Sequence, residues 1–243
     1  MKKVLVILLI GVTLLAGCNR VAQTPTPMNP EAIAKTFIEA SDSGDIERCL
    51  SLLSDDVVFS QDPPGVKVQG KSQYEAALRG AAKWHRHSVT VSYKVDGDKI
   101  TFIAKVSGDD FRILGVDSIN VSYELQVRDE KITSIVTTPD SADWARFTEL
   151  SSGGIGVSLT STNKGARVDK VAANSPADEA GVKPLDIITA VDGVSYSQMR
   201  EGEIQLRIRG KIGSKVLLAV TREGVTASID IEVTRADISV FHF

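Results

Sequence analysis

Two stretches decide the fold of the C-terminal half of the chain: Gly153-Gly154-Ile155-Gly156-Val157 and Asn174-Ser175-Pro176-Ala177-Asp178-Glu179-Ala180-Gly181. The first reads as a strand entered through small residues. The second is a complete short helix, since serine is a good N-cap and proline fits the first helical position. Asp178 completes a capping box and Gly181 can take the left-handed conformation that ends a helix. A strand, a short helix and further strands are therefore expected here.

The rest of this half continues the alternation of strands with short helices. The pattern predicts strands over 155–159, 166–171, 186–191, 215–221 and 226–234 and a helix over 199–208. The motifs resemble those of a PDZ domain of carboxyl-terminal processing proteases, at 154–157, 175–181, 186–193, 208–210, 213–214 and 234–235. The resemblance implies a β-barrel-like domain with two short helices. Leu185 departs from it, because the family usually has glycine before this aspartate.

The resemblance also implies a site for the C-terminal end of a peptide. Glycines let successive N–H groups converge, so Gly154, Ile155, Gly156 and Val157 are the candidates for binding a terminal carboxylate. Strand-edge and helix residues would form the peptide groove, and the candidates are Ser158, Leu159, Met199 and Ile204. The alternative is that the glycines only make a tight strand entry and that the domain is a docking spacer.

The N-terminal half reads as helices followed by antiparallel strands. Helices are predicted over 30–40, 45–53, 72–83 and 141–150, a short strand over 57–59, and longer strands over 89–93, 100–106, 120–127 and 132–138. This order predicts an α+β domain with helices on one face of a curved sheet. The residues Phe37 and Ile38, 43–45, 50–59 and 70–72 resemble the SnoaL-like, nuclear-transport-factor-like cone fold shared with ketosteroid isomerases.

That cone fold encloses a pocket, so a small-molecule site or an isomerase- or dehydratase-like activity is the alternative function. The weak pocket candidates are His85, His87 and Asp117. No spacing commits a pair of them to acid–base roles, and two histidines without a third ligand make a poor metal site. Neither a metal nor a cofactor is expected. Members of this fold are often binding or dimerising modules, so a dimer through this domain is also considered.

The first residues read as an export signal. Lys2 and Lys3 precede an apolar run over 4–16, and Leu15-Ala16-Gly17-Cys18 resembles the lipobox of bacterial lipoproteins. The resemblance implies that Cys18 is lipidated and anchors the chain to the cell envelope, with the membrane face undetermined. The alternative is a simple secretory signal. Proline-rich residues 19–30 read as a tether.

Composition fits two globular domains rather than a nucleic-acid-binding protein. The chain has 243 residues, 42% of them hydrophobic, and a formal net charge of -3. The predicted organisation is a signal (1–17), a tether (18–29), a cone domain (30–150) and a PDZ domain (151–237). Residues 236–243 are too few for the serine–lysine domain of a processing protease, so we expect a non-catalytic, membrane-anchored adaptor that binds peptide or protein C-termini. A further alternative is an accessory factor to an envelope protease.

Overall fold

The computed structural model describes residues 29–240, which form two domains that follow one another along the chain. The predicted signal, its Cys18 and all but the last residue of the predicted tether lie outside this range. Within the described range, every helix is too short or too polar to cross a membrane.

The first domain is a six-stranded sheet covered by helices. Its helices are α1 (Pro30–Ser43), α2 (Ile46–Leu52), α3 (Lys71–Lys83), α4 (Asp109–Ile113) and α5 (Ser141–Ser151). Its strands are β1 (Leu53–Gln61), β2 (Val66–Gln69), β3 (His87–Asp96), β4 (Lys99–Ser107), β5 (Ile119–Arg128) and β6 (Lys131–Pro139). The strand order is β2-β1-β6-β5-β4-β3, with β1 parallel to β6. The predicted α+β architecture is confirmed.

Local signals explain most of these elements. Asn29 Oδ1 accepts a hydrogen bond from the N–H of Ala32 at 2.8 Å and so caps α1, and Gly44 ends the helix at φ 73°. The buried face of α1 packs against the sheet. Helix α4 and strand β2 were not predicted, because elements of five and four residues are too short to show a period.

Strand β3 is an edge strand, and it carries exposed apolar residues. Val89 and Val91 are each 66% exposed, whereas Tyr93 faces the core and stacks with Phe102 at 6.3 Å between ring centroids. A register shift between Thr90 and Ser92 explains the difference, since a bulge changes the face that the following residues present.

The second domain is built on a separate core. Its strands are β7 (Gly153–Gly154), β8 (Val157–Ser161), β9 (Ala166–Val171), β10 (Ile187–Val191), β11 (Val194–Ser195), β12 (Lys215–Thr221), β13 (Ile229–Thr234) and β14 (Ala236–Asp237). Its α-helices are α6 (Pro176–Glu179) and α7 (Glu203–Ile208). The main sheet runs β13-β12-β10-β9-β8, and β7 pairs with β14. The two short helices are confirmed. The expected barrel-like closure is not found among residues 29–240, because β8 and β13 remain at the two ends of an open order.

Helix α7 begins later than predicted. A single turn of 3-10 helix covers Tyr196–Gln198, and Gly202 takes the left-handed conformation at φ 83° before α7 starts. Because that conformation cannot belong to a right-handed helix, the predicted helix over 199–208 is divided. Met199 therefore lies in the connection rather than in the helix.

Residues 151–154, at the predicted start of the PDZ domain, are ordered by both neighbouring elements. Ser151 is the last residue of α5, and Gly153 begins β7 and exchanges backbone hydrogen bonds with Gly210 at 2.6 and 3.2 Å. A Cβ atom on Gly153 would lie 2.9 Å from the carbonyl oxygen of Gly210. Glycine is needed here for close backbone packing rather than for mobility.

Candidate functional site

The loop between β7 and β8 is held by its carbonyl groups. The Ile155 carbonyl accepts from Ala177 N–H at 2.9 Å, and the Gly156 carbonyl accepts from Ala172 N–H at 2.9 Å and from Ser175 Oγ at 3.4 Å. By contrast, the N–H groups of Ile155 and Gly156 donate to no acceptor within residues 29–240. Fixed carbonyls and unengaged N–H groups are what a backbone site for an anion requires.

Gly156 is essential to the shape of this loop. Its φ is +78°, and a Cβ atom would lie 2.4 Å from Ser175 Cβ. Ser175 is itself fixed as the N-cap of α6, where its Oγ accepts from Asp178 N–H at 3.3 Å. Only half of the predicted capping box is formed, because the Asp178 carboxylate accepts from Asn174 N–H and Ser175 N–H donates to the Ala172 carbonyl instead. The helix cap and the loop are one packed unit.

Strand β8 has an open edge beside the loop, as predicted. Among the strands of residues 29–240 it pairs only with β9, and it starts at Val157, two residues later than expected. Ser158, Leu159 and Met199 are half-buried, and Leu159 and Met199 pack against the domain core. These three remain groove candidates.

Two predicted groove and loop side chains are buried in the core instead. The Ile204 and Ile155 side chains are each 1% exposed and belong to the same apolar cluster. The prediction that Ile204 lines a groove is therefore wrong for this conformation: the apolar period of α7 directs Ile204 and Ile208 inward. Ile155 can contribute its backbone but not its side chain.

Arg235, which sequence reasoning assigned only to a closing motif, fixes α7 beside the loop. Its guanidinium donates to the carbonyls of Arg207 and Ile208, at 2.8 Å each, and to the Lys215 carbonyl at 2.6 Å. It is 7% exposed, and burial lowers its pKa although Asp192 acts in the opposite direction. These bonds satisfy carbonyls at the C-terminal end of α7, which no intrahelical donor can reach.

The first domain contains a cavity of about 310 Å³. Aromatic side chains form much of its wall, contributed by Phe37, Phe59, Tyr74, Phe102, Phe111 and Tyr123. Phe102 and Tyr123 stack at 4.6 Å between ring centroids, and Phe111 meets Phe147 edge to face at 5.5 Å. The volume lies at the lower end of the range for small-molecule sites.

Two charged side chains reach this cavity. Asp42 comes from the last turn of α1, and its Oδ1 accepts from Ser88 N–H at 2.9 Å. Burial raises its pKa, opposed by the Ser88 N–H and by His87. Arg86 pairs with Asp110 at 2.6 Å and lies over the Phe111 ring at 4.9 Å. Asp42 follows Ile38 by four residues, so its place on the buried face of α1 was readable from the helical period.

The predicted pocket candidates do not line the cavity. His85, His87 and Asp117 are exposed. Arg86, between the two histidines, lines the cavity, whereas His85 lies in the turn after α3 at a φ of 45° and His87 is the first residue of β3. No group of three potential metal ligands occurs within residues 29–240.

Contacts between the two domains concentrate around α7. The Asp109 carboxylate, at the start of α4, pairs with Arg200 of the second domain and lies 2.9 Å from His85 Nδ1. It also pairs with Arg112. Two more ion pairs cross the interface, Lys83–Glu201 at 3.1 Å and Glu149–Lys211 at 2.6 Å. Both ends of α7 are therefore held by the first domain.

Comparison with family models identifies both domains. Residues 34–135 match the model of the SnoaL-like domain, and residues 153–233 match the model of the PDZ domain. Both family resemblances read from the sequence are thus confirmed.

Curated relatives match the chain only in part. It is 31% identical over 116 residues to the carboxy-terminal processing protease CtpA of Bacillus subtilis, covering 48% of this chain and 25% of that protein. It is 33% identical over 92 residues to the carboxyl-terminal-processing protease of a Synechocystis species, covering 38% and 22%. The chain therefore spans about a quarter of the length of these relatives.

Solved structures align with about half of the chain. One is an NTF2-like protein of unknown function from Cytophaga hutchinsonii, 15% identical, with a TM-score of 0.42, covering 50% of this chain and 99% of that one. Another is a polyketide cyclase-like protein from Xanthomonas campestris, 17% identical, with a TM-score of 0.42, covering 49% and 96%.

Proposed function

The chain joins a SnoaL-like domain to a PDZ domain, and we propose that the PDZ domain binds the C-terminal end of a peptide or protein. The observation that carries the proposal is the loop at Ile155 and Gly156, whose carbonyls are anchored while their N–H groups lack acceptors within residues 29–240. The open edge of β8 begins directly after it. An incoming strand can pair with such an edge while its carboxylate meets the loop.

The test is a fluorescence-anisotropy titration of the full-length chain with a labelled peptide library ending in apolar residues. Each peptide is compared with the same sequence carrying a C-terminal amide. Because the loop would bind a charged carboxylate, the free acid should bind about tenfold more tightly than the amide. Equal affinities of acid and amide across the library would contradict the proposal.

A matched pair of variants tests the groove. Leu159→Ser removes a half-buried side chain beside the open edge, and Leu217→Ser removes an exposed one from β12. The first should weaken binding about fivefold, the scale of a lost apolar contact, and the second should leave it unchanged. Gly156 is a poor choice for this test, since any side chain there meets Ser175 and threatens the fold.

A second candidate function, binding of a small molecule in the first domain, is favoured by the cavity of about 310 Å³ with its aromatic wall. Native mass spectrometry of the purified chain, with extraction of anything that copurifies, tests it. Ala81→Phe places a ring into the cavity, whereas Ala76→Phe adds the same ring to an exposed position of the same helix. A genuine pocket ligand is lost from the first variant and kept by the second.

We also propose that the chain is exported and anchored to the cell envelope through lipid on Cys18, on the strength of the lipobox-like Leu15-Ala16-Gly17-Cys18. Metabolic labelling with an alkyne fatty acid should mark the wild-type chain and not Cys18→Ser. Labelling that persists in the variant would contradict the anchor. The anchored chain would then act as a non-catalytic adaptor or as an accessory factor to an envelope protease.

A further inference from the structure

Helix α4 contacts the cavity of the first domain and the second domain at once. Phe111 forms part of the cavity wall, and Arg86, which also lines the cavity, pairs with Asp110. One residue earlier, Asp109 pairs with Arg200 of the second domain. Three consecutive residues of one short helix therefore connect the cavity of the first domain to Arg200 of the second domain.

The contacts of α4 leave little room for independent movement. The Asp109 N–H donates to the Trp84 carbonyl at 2.9 Å, and Asp110 is 7% exposed. A Cβ atom on Gly108 would lie 2.6 Å from Asp110 Oδ1 and 2.9 Å from Arg86 Cγ. A displacement of Phe111 or Arg86 must consequently move α4 as a unit, since packed interiors transmit strain.

On the other side of the interface, Arg200 is tied to the start of α7. Its backbone N–H donates to Glu203 Oε2 at 3.1 Å, within the first turn of the helix. The end of α7 leads to Gly210, which bonds to Gly153 at the entrance of the loop between β7 and β8. A shift of Arg200 can thus reach the loop through a single six-residue helix.

We propose that a molecule in the cavity of the first domain regulates peptide binding by the PDZ domain, with α4 and the Asp109–Arg200 pair as the connection. This inference rests on the proposed peptide-binding function. Such coupling is reciprocal, so a bound peptide must alter the affinity of the cavity for its ligand by the same factor.

The test uses the full-length chain, and a phenylalanine side chain that fills the cavity takes the place of the unidentified ligand. Ala81→Phe occupies the cavity, Asp109→Asn breaks the connection, and Ala76→Phe is the control for an added ring on α3. We measure the Kd of the best peptide from the library for each single variant and for Ala81→Phe combined with Asp109→Asn. Circular dichroism verifies that each variant is folded.

The expected result is that Ala81→Phe changes the Kd about fivefold or more, the lower end of usual allosteric couplings, while Ala76→Phe does not. In the Asp109→Asn background, Ala81→Phe should have no further effect. An equal change in both backgrounds, or no change in either, would overturn the proposal.

Hydrogen exchange followed by mass spectrometry gives a readout that needs no peptide. Ala81→Phe should alter amide exchange over 199–210 only when Asp109 is present. If the exchange changes in this way but no peptide binds, the proposed peptide-binding function fails and the connection between the domains stands. If peptides bind but Ala81→Phe does not change amide exchange over 199–210, the proposed connection between the domains is contradicted.

Discussion

At the scale of single residues, Leu185 has an unfavourable backbone conformation, and Asp42 has its carboxyl group in an unfavourable environment. Leu185 has a φ of 73° and is 65% exposed, so it bears backbone strain with little burial to offset it. The Asp42 carboxyl reaches an apolar cavity, and burial raises its pKa. The first departs from the pattern of the PDZ family, and the second lies in a candidate site.

Leu185→Gly should stabilise the PDZ domain. The left-handed conformation costs a non-glycine residue about 1–2 kcal/mol, and glycine removes this cost. Glycine also makes the unfolded chain more flexible, which lowers the stability by about 0.5–1 kcal/mol, so the net gain is about 0.5 kcal/mol. Urea denaturation measures it. The control is Val225→Gly, which removes an exposed side chain without a positive φ and should destabilise. A loss of stability in both variants would show that Leu185 is not strained.

Asp42→Asn should raise the free energy of unfolding at pH 7. The pKa of Asp42 is raised in the folded state, so its contribution favours folding below the unfolded pKa and is lost as pH rises through the folded pKa. Asparagine keeps an oxygen acceptor for Ser88 N–H without the buried charge. Urea denaturation at pH 7 and pH 3 should show a gain only at the higher pH.

The control for this prediction is Asp56→Asn, which removes one negative charge from an exposed position. If Asp42→Asn gives the same change as this control at both pH values, the burial of Asp42 has no energetic consequence. If it destabilises the chain at pH 7, the Asp42 carboxylate is held by interactions that outweigh its burial.

At the scale of elements, the sequence predicted the longer elements with a regular apolar period and the short helix whose start is marked by capping residues. Helix α1 and strands β4 to β6 were found because their buried residues recur regularly, and α6 because Ser175 and Pro176 mark its start. Helix α4 has five residues and no side-chain cap, so nothing in its sequence separates it from a loop. Yet it supplies both Phe111 to the cavity and Asp109 to the domain interface.

The loop between β7 and β8 was predicted as a candidate site for a carboxylate, but the contacts that hold it in place were not. Glycines at 154 and 156 indicated convergent N–H groups, whereas the anchoring of the carbonyls by Ala172, Ser175 and Ala177 depends on contacts between distant segments. The position of Asp42 on α1 was readable from the helical period, but the cavity beneath it was not. Arg86 was missed because its place depends on α1 and the start of β3, which are distant in sequence, packing together.

Arg235→Lys should loosen the end of α7. A lysine cannot supply the fork of donors that reaches Arg207, Ile208 and Lys215, and each buried carbonyl left without a donor costs about 1–3 kcal/mol. We expect a loss of about 3 kcal/mol in urea denaturation and faster amide exchange over 203–210. The control is Arg209→Lys, at the exposed residue that directly follows α7. Comparable losses in the two variants would mean that Arg235 does not cap the helix.

At the scale of the whole molecule, the two domains meet through ion pairs and through a connection that has regular structure. In the second domain, the partners in Asp109–Arg200, Lys83–Glu201 and Glu149–Lys211 lie on the segments that precede and follow α7. The Lys83–Glu201 and Glu149–Lys211 pairs are exposed, and such pairs contribute little each, about 0–1 kcal/mol, so the ordered connection carries much of the orientation.

This arrangement predicts resistance to proteolysis at the boundary. Glutamyl endopeptidase should cut slowly after Glu149 in the native chain, because Glu149 lies inside α5 and its carboxylate is paired with Lys211. Insertion of Gly-Ser-Gly-Ser after Ser152 provides the control, since it places a mobile linker between α5 and β7, and this variant should be cut rapidly after Glu149. Equal cleavage of the two proteins would show that the native boundary opens freely.

Because α5 leads almost directly into β7, the length of α5 determines how the PDZ domain is rotated about the axis of this helix. Only Ser152 separates the end of α5 from the start of β7. One residue added within α5 would turn the PDZ domain by about 100° around the helix axis and advance it by about 1.5 Å. Arg200 would then move away from Asp109 on α4. About seven added residues would restore the direction, but the two domains would stand roughly 10 Å further apart.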